Sequence, residues 1–265
     1  MSLLDHGYLL GDGVFATMRA YRGVCFRADR HLAALARGAA LFGIELPSSL
    51  LQIAGLANEA ARRTEEADAY IRVTLTRGAP GARPTLSVLA RAMDVPSEDA
   101  YARGVSVASV SPRRIPPACL DGSIKTTSYA VQVLARREVQ AKGADEGIQL
   151  AIDGALACGT MANLFVVSGD TLLTPSLESG CRAGITRGAI LELAPRLFRD
   201  VREQRLDPAV LAEADEAFLT STRVECLPIA SVDGQPMVGR GKTSFERTRV
   251  LRDAFLALVR AETSS

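Results

Sequence analysis

One of the three lysines in this chain stands where a solvated surface charge is least expected. Of the 31 basic side chains, all but these three are arginine, so arginine carries nearly all of the positive charge. Lys142 and Lys242 are typical of solvated charges, whereas Lys125 follows an apolar isoleucine and precedes small hydroxylated residues in SIKTTSY. A neutral lysine amine is a nucleophile, and a guanidinium is not. Lys125 is therefore the candidate for covalent or acid–base chemistry.

Two further segments have residue types suited to binding an anion. In CRAGITRGAIL, Gly184 leads into a helix that is predicted to begin at Thr186, and the free N–H groups at a helix start bind phosphate. In FLTSTRVE, Ser221 and Thr222 place two hydroxyl groups after a predicted strand. Each pattern also suits a structural role, as a helix N-cap or an ordinary turn. Their arrangement with Lys125 along the chain favours the functional interpretation.

Composition limits the classes of protein to consider. A chain of 265 residues with 48% apolar residues fits one large domain or two of ordinary size. The net charge of +1 predicts no general attraction to nucleic acid or to an anionic membrane. No apolar run is long enough for a transmembrane helix, and MSLLDHGYLL lacks the features of a secretory signal. Two histidines and five scattered cysteines argue against a metal site and for a reduced, cytoplasmic protein.

The elements that must position these residues fall on two sides of a proline-rich break, SPRRIPPACLDG. We predict an N-terminal α+β domain over 1–112, a linker over 113–122 and a C-terminal domain over 123–265. The first contains a strand turning at Gly23, two helices and two further strands. The second has short strands separated by Gly-Asp and Asp-Gly turns and closed by helices, which predicts a small barrel or curled sheet.

Four motifs follow one another through the second half of the chain: SIKTTSYAVQVLARREVQAKGADEGIQL, GTMANLFVV, TPSLESGCRAGITRGAILELA and ADEAFLTSTRVECLPIASVDG. In these motifs, and in DHGYLLGDGVFATMRAYRG near its start, the chain resembles the class IV (fold-type IV) pyridoxal-phosphate aminotransferases. That family includes branched-chain and D-amino-acid aminotransferases and 4-amino-4-deoxychorismate lyase. The resemblance implies a two-domain α+β fold with a small N-terminal α/β sandwich and a C-terminal pseudo-barrel. It also implies pyridoxal phosphate bound between the domains, and a homodimer.

The resemblance assigns roles to several residues. Lys125 corresponds to the lysine that forms a Schiff base with the cofactor, and burial would lower its pKa and favour this chemistry. It would then act as the acid–base group that moves the substrate α-proton. Tyr129 lies near the position from which some relatives bond the hydroxyl group of the cofactor ring. The spacing between this position and the lysine differs by one residue among members of the family. The residues implied at the cofactor phosphate are Gly184, Ile185, Thr186, Ser221 and Thr222.

One departure from the family pattern concerns the cofactor ring. The segment before ANLF normally begins with a glutamate that pairs with the pyridine nitrogen, and here this position is Cys158. A neutral thiol cannot keep that nitrogen protonated as a carboxylate does, so the ring would withdraw electrons less strongly. This favours elimination over amino transfer. A buried cysteine can also be simple packing, since a free thiol behaves as a small hydrophobe.

A second departure concerns the phosphate. The family has an arginine three residues after the histidine of the first long helix, and here that residue is Ala34. Because arginine grips phosphate with two hydrogen bonds, its loss is expected to weaken cofactor binding. Arg37, one helical turn later, would reach back toward the phosphate. Many members of the family also have Glu where this chain has Ala16. Relatives usually begin with about twenty more residues, so we expect either a trimmed first domain or a misassigned start.

Two functions from different classes follow from these observations. The first is a pyridoxal-phosphate lyase or aminotransferase acting on a small amino-acid-like substrate, with aminodeoxychorismate lyase as the nearest model. Arg77 and Arg83 in TRGAPGARP would then bind a substrate carboxylate, although surface arginines are common. The second is a family member that no longer uses the cofactor, with Lys125 as a direct acid–base or imine-forming lysine, or a non-catalytic binding protein. Loss of the arginine and the glutamate favours the second. Retention of Lys125 argues against the non-catalytic binding role, and retention of Gly184, Ile185 and Thr186 favours the cofactor enzyme.

Overall fold

The computed structural model describes residues 2–237 and 245–264, so Lys242 lies outside the described residues. Contacts between residues divide the chain into two compact units, which are described separately below. The first unit comprises Met1–Asp94, Ile124–Tyr129 and Val259–Ser265, and the second comprises Val95–Ser123 and Ala130–Leu258. The domain limits expected from the sequence stay a prediction.

The first unit is a four-stranded antiparallel sheet covered by helices. Its elements in chain order are α1 (His6–Leu9), β1 (Gly13–Tyr21), β2 (Val24–Cys25), α2 (Ala28–Leu41), α3 (Leu50–Arg62), β3 (Asp68–Thr76) and β4 (Thr85–Ala92). The strands lie in the order β2-β1-β3-β4. Along β3 the buried side chains alternate with half-buried ones, as expected for a strand with one face against the core. The turn between β1 and β2 contains Gly23 at φ +84°, as its glycine suggests.

Helices α2 and α3 supply the apolar cover of this sheet. Leu32, Leu35 and Ala39 recur at helical spacing on the buried face of α2, and the sequence pattern predicts this face. Helix α3 begins with a capping box between Ser49 and Gln52, which fixes its first residue. Helix α2 begins differently: its N-cap residue is Arg27 in a left-handed conformation, and no side chain of the described residues caps it.

A short segment from the middle of the chain, Ile124–Tyr129, completes the first unit. It forms an antiparallel bridge to β1 between Thr126 and Val14. At the C-terminus, Glu262 accepts hydrogen bonds from Nε and Nη2 of the buried Arg27. Three separate stretches of sequence therefore make this one unit.

The second unit is dominated by one large mixed sheet. Its elements are α4 (Glu98–Arg103), β5 (Val105–Ser109), α5 (Ala130–Ala141), β6 (Glu146–Leu150), β7 (Leu156–Gly159), β8 (Asn163–Ser168), β9 (Thr171–Pro175), α6 (Ile185–Leu193), β10 (Asp200–Gln204), α7 (Val210–Glu213), β11 (Glu216–Ser221), β12 (Glu225–Val232) and β13 (Gln235–Pro236). The last helix is α8 (Glu246–Thr263). No described helix combines the length and the apolar run needed to cross a bilayer.

The strands of the second unit lie in the order β10-β9-β8-β11-β12-β5-β6-β7, with β13 added beside β12. Strand β7 at one end also packs against β8 and β9 near the other end. The sheet therefore curls back on itself, which confirms the curled sheet predicted from the short strands and tight turns. Its faces are closed by apolar side chains, including the stacked rings of Phe165 and Phe218, 5.0 Å apart.

Candidate active site

The backbone next to Lys125 is fixed to strand β1 on both sides of Thr126. The carbonyl of Lys125 accepts a hydrogen bond from the N–H of Phe15 at 2.9 Å, and the N–H of Thr127 donates to the carbonyl of Gly13 at 2.9 Å. Nζ of Lys125 lies 5.5 Å from the centroid of the Phe15 ring. The backbone from which the lysine side chain extends is therefore anchored to the sheet, with the amine near an aromatic ring.

His31 on helix α2 lies close enough to Lys125 for their charges to interact. Burial lowers the pKa of His31 to about 3, and the positive charge of Lys125 acts in the same direction. The imidazole is therefore neutral near neutral pH. His31 contributes packing and a neutral ring beside the lysine.

The face of α2 next to the Lys125 segment has little space for side chains. A Cβ on Gly38 would lie 2.9 Å from Cγ2 of Ile124 and 3.1 Å from Cγ1 of Val14. Ala34, one turn earlier, is half-buried on the same side of the helix. Arg37 is exposed, so the role expected for it at the phosphate stays a prediction.

Tyr129 lies at the other end of the Lys125 segment and packs on the same aromatic ring as the lysine. Its ring meets that of Phe15 edge-to-face at 5.4 Å. The guanidinium of Arg72 lies 3.6 Å from the centroid of the Phe15 ring. Phe15 thus has Lys125, Tyr129 and Arg72 around it, and it fixes their side chains by packing.

In the second unit, the start of helix α6 has the features of an anion cradle. Gly184 is the N-cap residue and no described side chain caps the helix, so the first N–H groups are available to a ligand. Thr186 was expected to begin the helix, but it lies inside the first turn and is buried. The side-chain amide of Asn163 donates to the carbonyl of Arg182 at 2.7 Å, and a Cβ on Gly184 would collide with Oδ1 of Asn163. A side chain at this N-cap would therefore have to displace the amide of Asn163, and the N–H groups at the start of α6 suit an anion.

Ser221 ends β11 and Thr222 begins the turn to β12, in the same unit as helix α6, which packs on β11. The hydroxyl oxygen of Ser221 accepts hydrogen bonds from the N–H groups of Arg223 and Val224, both at 3.3 Å. Ser221 therefore shapes the turn, while Thr222 is half-buried at its corner.

Cys158 on strand β7 is buried and electrically neutral. Burial raises the pKa of its thiol to about 11, although the charge of Arg114 acts in the opposite direction. The sulfur belongs to a small apolar cluster with Cys181. The start of helix α6 in this unit thus suits the phosphate of the expected cofactor. Cys158, which stands where the family has a glutamate for the ring nitrogen, has a thiol in place of a carboxylate.

The two arginines expected at the substrate differ in their surroundings. Nε of Arg77 pairs with Asp12 at 2.5 Å, and Nη2 donates to the carbonyl of Phe42 at 2.6 Å, at the end of helix α2. These are the contacts of a residue that anchors a loop. Arg83 is exposed. Their assignment to the substrate stays a prediction.

Sequence reasoning does not single out two polar residues that lie beside Cys158. Arg114 is buried within the proline-rich segment and donates to the carbonyl of Gly180. Gln149 is fully buried and stands directly opposite Cys158 in the β6–β7 ladder. The run Arg113-Arg114 is ordinary in so arginine-rich a chain, and strand register is invisible in one sequence, so neither residue carried a usable signal.

Several proteins with assigned names are similar to this chain over nearly its whole length. A putative branched-chain-amino-acid aminotransferase of Methanocaldococcus jannaschii is 33% identical, with 96% of this chain and 90% of the relative covered. The D-alanine aminotransferase of Bacillus licheniformis is 32% identical over 89% and 84%. The aminodeoxychorismate lyase of Bacillus subtilis is 30% identical over 95% and 87%.

Solved structures agree with these relatives. The branched-chain amino acid aminotransferase of Escherichia coli matches with a TM-score of 0.91 at 28% identity, covering 100% of this chain and 91% of the other. A T.th. branched-chain amino acid aminotransferase, solved with pyridoxamine 5'-phosphate, matches with a TM-score of 0.90 at 28% identity, covering 99% and 89%. These matches confirm the α+β fold of fold type IV that the resemblance implied.

The family itself is identified by a model of the amino-transferase class IV proteins, which matches residues 13–232. The matched region includes the Lys125 segment, Cys158, the start of helix α6 and the turn after β11. Class IV aminotransferases use pyridoxal phosphate, which agrees with the motifs quoted above. The chain therefore belongs to the class IV aminotransferase family and is an enzyme of its aminotransferase and lyase type.

Proposed function

We propose that this enzyme uses pyridoxal phosphate to act on a small amino-acid-like substrate, and that its reaction is an elimination of the kind that releases pyruvate from aminodeoxychorismate. The observation that carries the choice of reaction is Cys158, a buried neutral thiol at the position matched to the family's glutamate; burial raises its pKa to about 11. Without a carboxylate there, the cofactor ring withdraws electrons less strongly, and amino transfer is disfavoured.

Lys125 is the proposed attachment point and acid–base residue. When bound, the cofactor supplies an electron-withdrawing ring that makes the hydrogen on the substrate α-carbon more acidic. Nζ of Lys125 takes that proton and returns it to the product. The backbone hydrogen bonds of Lys125 and Thr127 to strand β1 support this role because they anchor the lysine's backbone, and the Phe15 ring supports it because it lies 5.5 Å from Nζ.

The start of helix α6 is the proposed phosphate site. The N–H groups of Ile185 and Thr186 would donate to the phosphate, Gly184 permits the close approach, and Ser221 and Thr222 contribute from the next turn. On helix α2, Arg37 is the proposed replacement for the arginine missing at Ala34. If Arg37→Ala leaves cofactor affinity unchanged, Arg37 has no such role.

At the remaining positions the proposal follows the family pattern. Tyr129 would face the ring hydroxyl, and Arg77 and Arg83 would meet a substrate carboxylate, with Arg77 needing to exchange its contact to Asp12. The even charge balance supports a small-molecule substrate over a nucleic acid or a membrane surface. We further infer a homodimer that works in the cytoplasm.

A second candidate is amino transfer between a branched-chain amino acid and a 2-oxo acid. It is favoured by the 33% identity to a putative branched-chain aminotransferase and by the similarity to solved structures of that class. The two reactions are distinguished by product: elimination from aminodeoxychorismate releases pyruvate and 4-aminobenzoate, whereas amino transfer produces a new amino acid.

The first experiment is an absorption spectrum of purified wild type and Lys125→Ala, each before and after addition of pyridoxal phosphate. We expect a visible band in the wild type alone, and borohydride reduction followed by peptide mass analysis should place the cofactor mass on Lys125. No band at saturating cofactor would overturn the proposal and leave direct chemistry at Lys125, or a binding role, as the function. With a band present, the two product assays then decide between elimination and amino transfer.

A further inference from the structure

Arg114 is a buried cation whose hydrogen bonds go to a neutral acceptor. Its side chain is 4% exposed, and both Nε and Nη2 donate to the carbonyl of Gly180, at 3.1 and 2.9 Å. Among the described residues no carboxylate lies within ion-pair distance of Arg114. Because a buried charge is normally paired, an uncompensated guanidinium acts strongly on any group beside it.

Backbone and side-chain contacts tie Arg114 to strand β6. The N–H of Arg114 donates to the carbonyl of Leu150 at 2.9 Å. Two residues earlier, the carbonyl of Pro112 accepts from Nε2 of Gln149 at 3.0 Å. The segment that holds Arg114 therefore runs along the end of β6, beside a glutamine that points the same way as Cys158 on the neighbouring strand.

The same cluster is closed from the other side by the segment that follows β9. Gly180 binds the guanidinium of Arg114, and Cys181, the next residue, packs against Cys158. Arg114 and Cys158 are thus joined through β6 and through this segment. The positive charge and the neutral thiol belong to one buried cluster.

The other groups that act on Cys158 do not neutralise Arg114. They are Cys181, Arg182 and Glu146. The carboxylate of Glu146 is engaged elsewhere: it accepts hydrogen bonds from Thr160 and Gly147 and lies 3.4 Å from Nη1 of Arg136. The balance of charge around the thiol is positive.

We propose that Arg114 is a positioning residue that keeps the ring nitrogen of bound pyridoxal phosphate unprotonated. This inference rests on the proposed function, which puts that nitrogen near Cys158. A protonated nitrogen would add a second positive charge beside Arg114, whereas a neutral one adds none. Oε1 of Gln149 is buried without a hydrogen bond from any described residue, and as an acceptor it would favour a protonated nitrogen. The dipole of a neutral amide is weaker than the full charge of Arg114, so the cation determines the outcome. This cluster thereby selects the weakly electron-withdrawing form of the ring, and with it elimination.

The test is the protonation state of the ring nitrogen in the reconstituted enzyme. Pyridoxal phosphate labelled with nitrogen-15 in the ring is bound to wild type, Arg114→Met, Arg114→Lys and Arg113→Met, and the ring signal is followed by NMR as the pH is changed. We expect an unprotonated nitrogen at neutral pH in the wild type. Arg114→Met should raise the pKa of that nitrogen by about one unit or more, a tenfold change in the ratio of the two forms. Arg114→Lys, which keeps the charge, should leave it nearly unchanged.

Arg113→Met is the matched control, because Arg113 is less buried than Arg114 and its charge is screened by water. Since Arg114→Met also removes hydrogen bonds to Gly180 and can fail to fold, Cys158→Glu provides an independent variant. It gives Arg114 a counter-charge without removing it, and it should raise the pKa of the ring nitrogen as well, whereas the neutral Cys158→Ser should not.

A protonated nitrogen in the wild type at neutral pH, or a nitrogen that titrates alike in wild type and in folded Arg114→Met, overturns this inference while the cofactor remains bound. If no cofactor signal appears with the wild type, the proposed function falls and this inference falls with it. The two failures are therefore separable.

Discussion

The surroundings of Lys125 and those of Cys158 differ in how completely their polar groups are matched. Next to Lys125 the backbone is hydrogen-bonded to β1 at Lys125 and Thr127, the imidazole of His31 is neutral, and helix α2 approaches through Gly38. Next to Cys158, within the part of the chain that the structure describes, a guanidinium has no carboxylate and Oε1 of a buried glutamine makes no hydrogen bond. Among the described residues, the region around Cys158 therefore lacks a counter-charge for Arg114 and a hydrogen-bond donor for Oε1 of Gln149.

This difference separates two requirements of the enzyme. A lysine that forms a bond to a cofactor must be held in place, and the backbone next to Lys125 is anchored by groups of the chain itself, which supports the role proposed for it. The electronic character of a cofactor is set by the groups around its ring. Arg114 and Oε1 of Gln149 would act in opposite directions on a ring nitrogen, since the cation disfavours a proton there and the acceptor favours one.

The largest expected effect is on catalysis, and it tests whether Lys125 differs from an ordinary lysine. Lys125→Ala should lower the rate of the enzyme's reaction on the order of 10²–10⁴-fold or more, because it removes the acid–base group. Lys142→Ala is the control, since Lys142 pairs with Glu138 at 2.9 Å on the surface and its loss should change little. Equal rates for the two variants would remove Lys125 from the mechanism.

The next effect is on thiol reactivity and tests the neutrality of Cys158. A pKa raised from 9.0 to about 11 leaves about 100-fold less thiolate, so iodoacetamide should modify Cys158 far more slowly than the exposed Cys119. Mass spectrometry of peptides at several times gives both rates. In guanidinium chloride the two rates should converge, and equal rates in the folded protein would contradict a buried neutral thiol.

A smaller effect tests the tight contact that supports the Lys125 segment. Gly38→Ala should destabilise the protein, because the new methyl group lies 2.9 Å from Ile124 and overpacking costs about 1–3 kcal/mol. Gly55→Ala, in helix α3 with no described atom within 4 Å of the new Cβ, should stabilise by up to about 1 kcal/mol. Denaturant unfolding measures both. Equal stabilities of the two variants would mean that helix α2 can move away from Ile124 at no cost.

The last effect, confined to acidic pH, is the pH dependence contributed by His31. Its pKa is 6.5 without the surrounding protein and about 3 when folded, so between these values the unfolded chain binds a proton that the folded chain does not. The contribution of neutral His31 to the free energy of unfolding is therefore complete above about pH 6.5. It falls as the pH drops toward 3, by up to about 1.4 kcal/mol per pH unit. His31→Asn should show a shallower decline between pH 7 and pH 5 in denaturant unfolding. An unchanged slope would show that other groups set it.

The fold and the family could be predicted from the sequence because their signals are local or ordered along the chain. The helical spacing of Leu32, Leu35 and Ala39 marks a buried helix face, and the motifs around Lys125 and Gly184 identify the family by their order. Small displacements were missed. Thr186, expected at the start of its helix, lies one residue inside it, after Ile185.

What could not be predicted depends on pairing between distant strands. Gln149 faces Cys158 because β6 and β7 pair in a particular register, and a slip of one residue would send the glutamine to the other face. Arg114 lies in a proline-rich stretch whose composition is that of a linker, yet its guanidinium is buried. A single sequence shows which residues are present, but it does not show that the buried guanidinium of Arg114 bonds a carbonyl and no described carboxylate.

The discontinuity of the first compact unit has a consequence for synthesis of the protein. When a ribosome has made residues 1–258, the nascent chain holds everything needed for the second unit, but Glu262 has not yet met Arg27. The usual order, in which N-terminal domains fold first as they emerge, is therefore reversed for the final step. The unit that carries Lys125 is completed last, once Val259–Ser265 has left the ribosome, and a chain cut short before Glu262 would lack the contact between Glu262 and Arg27.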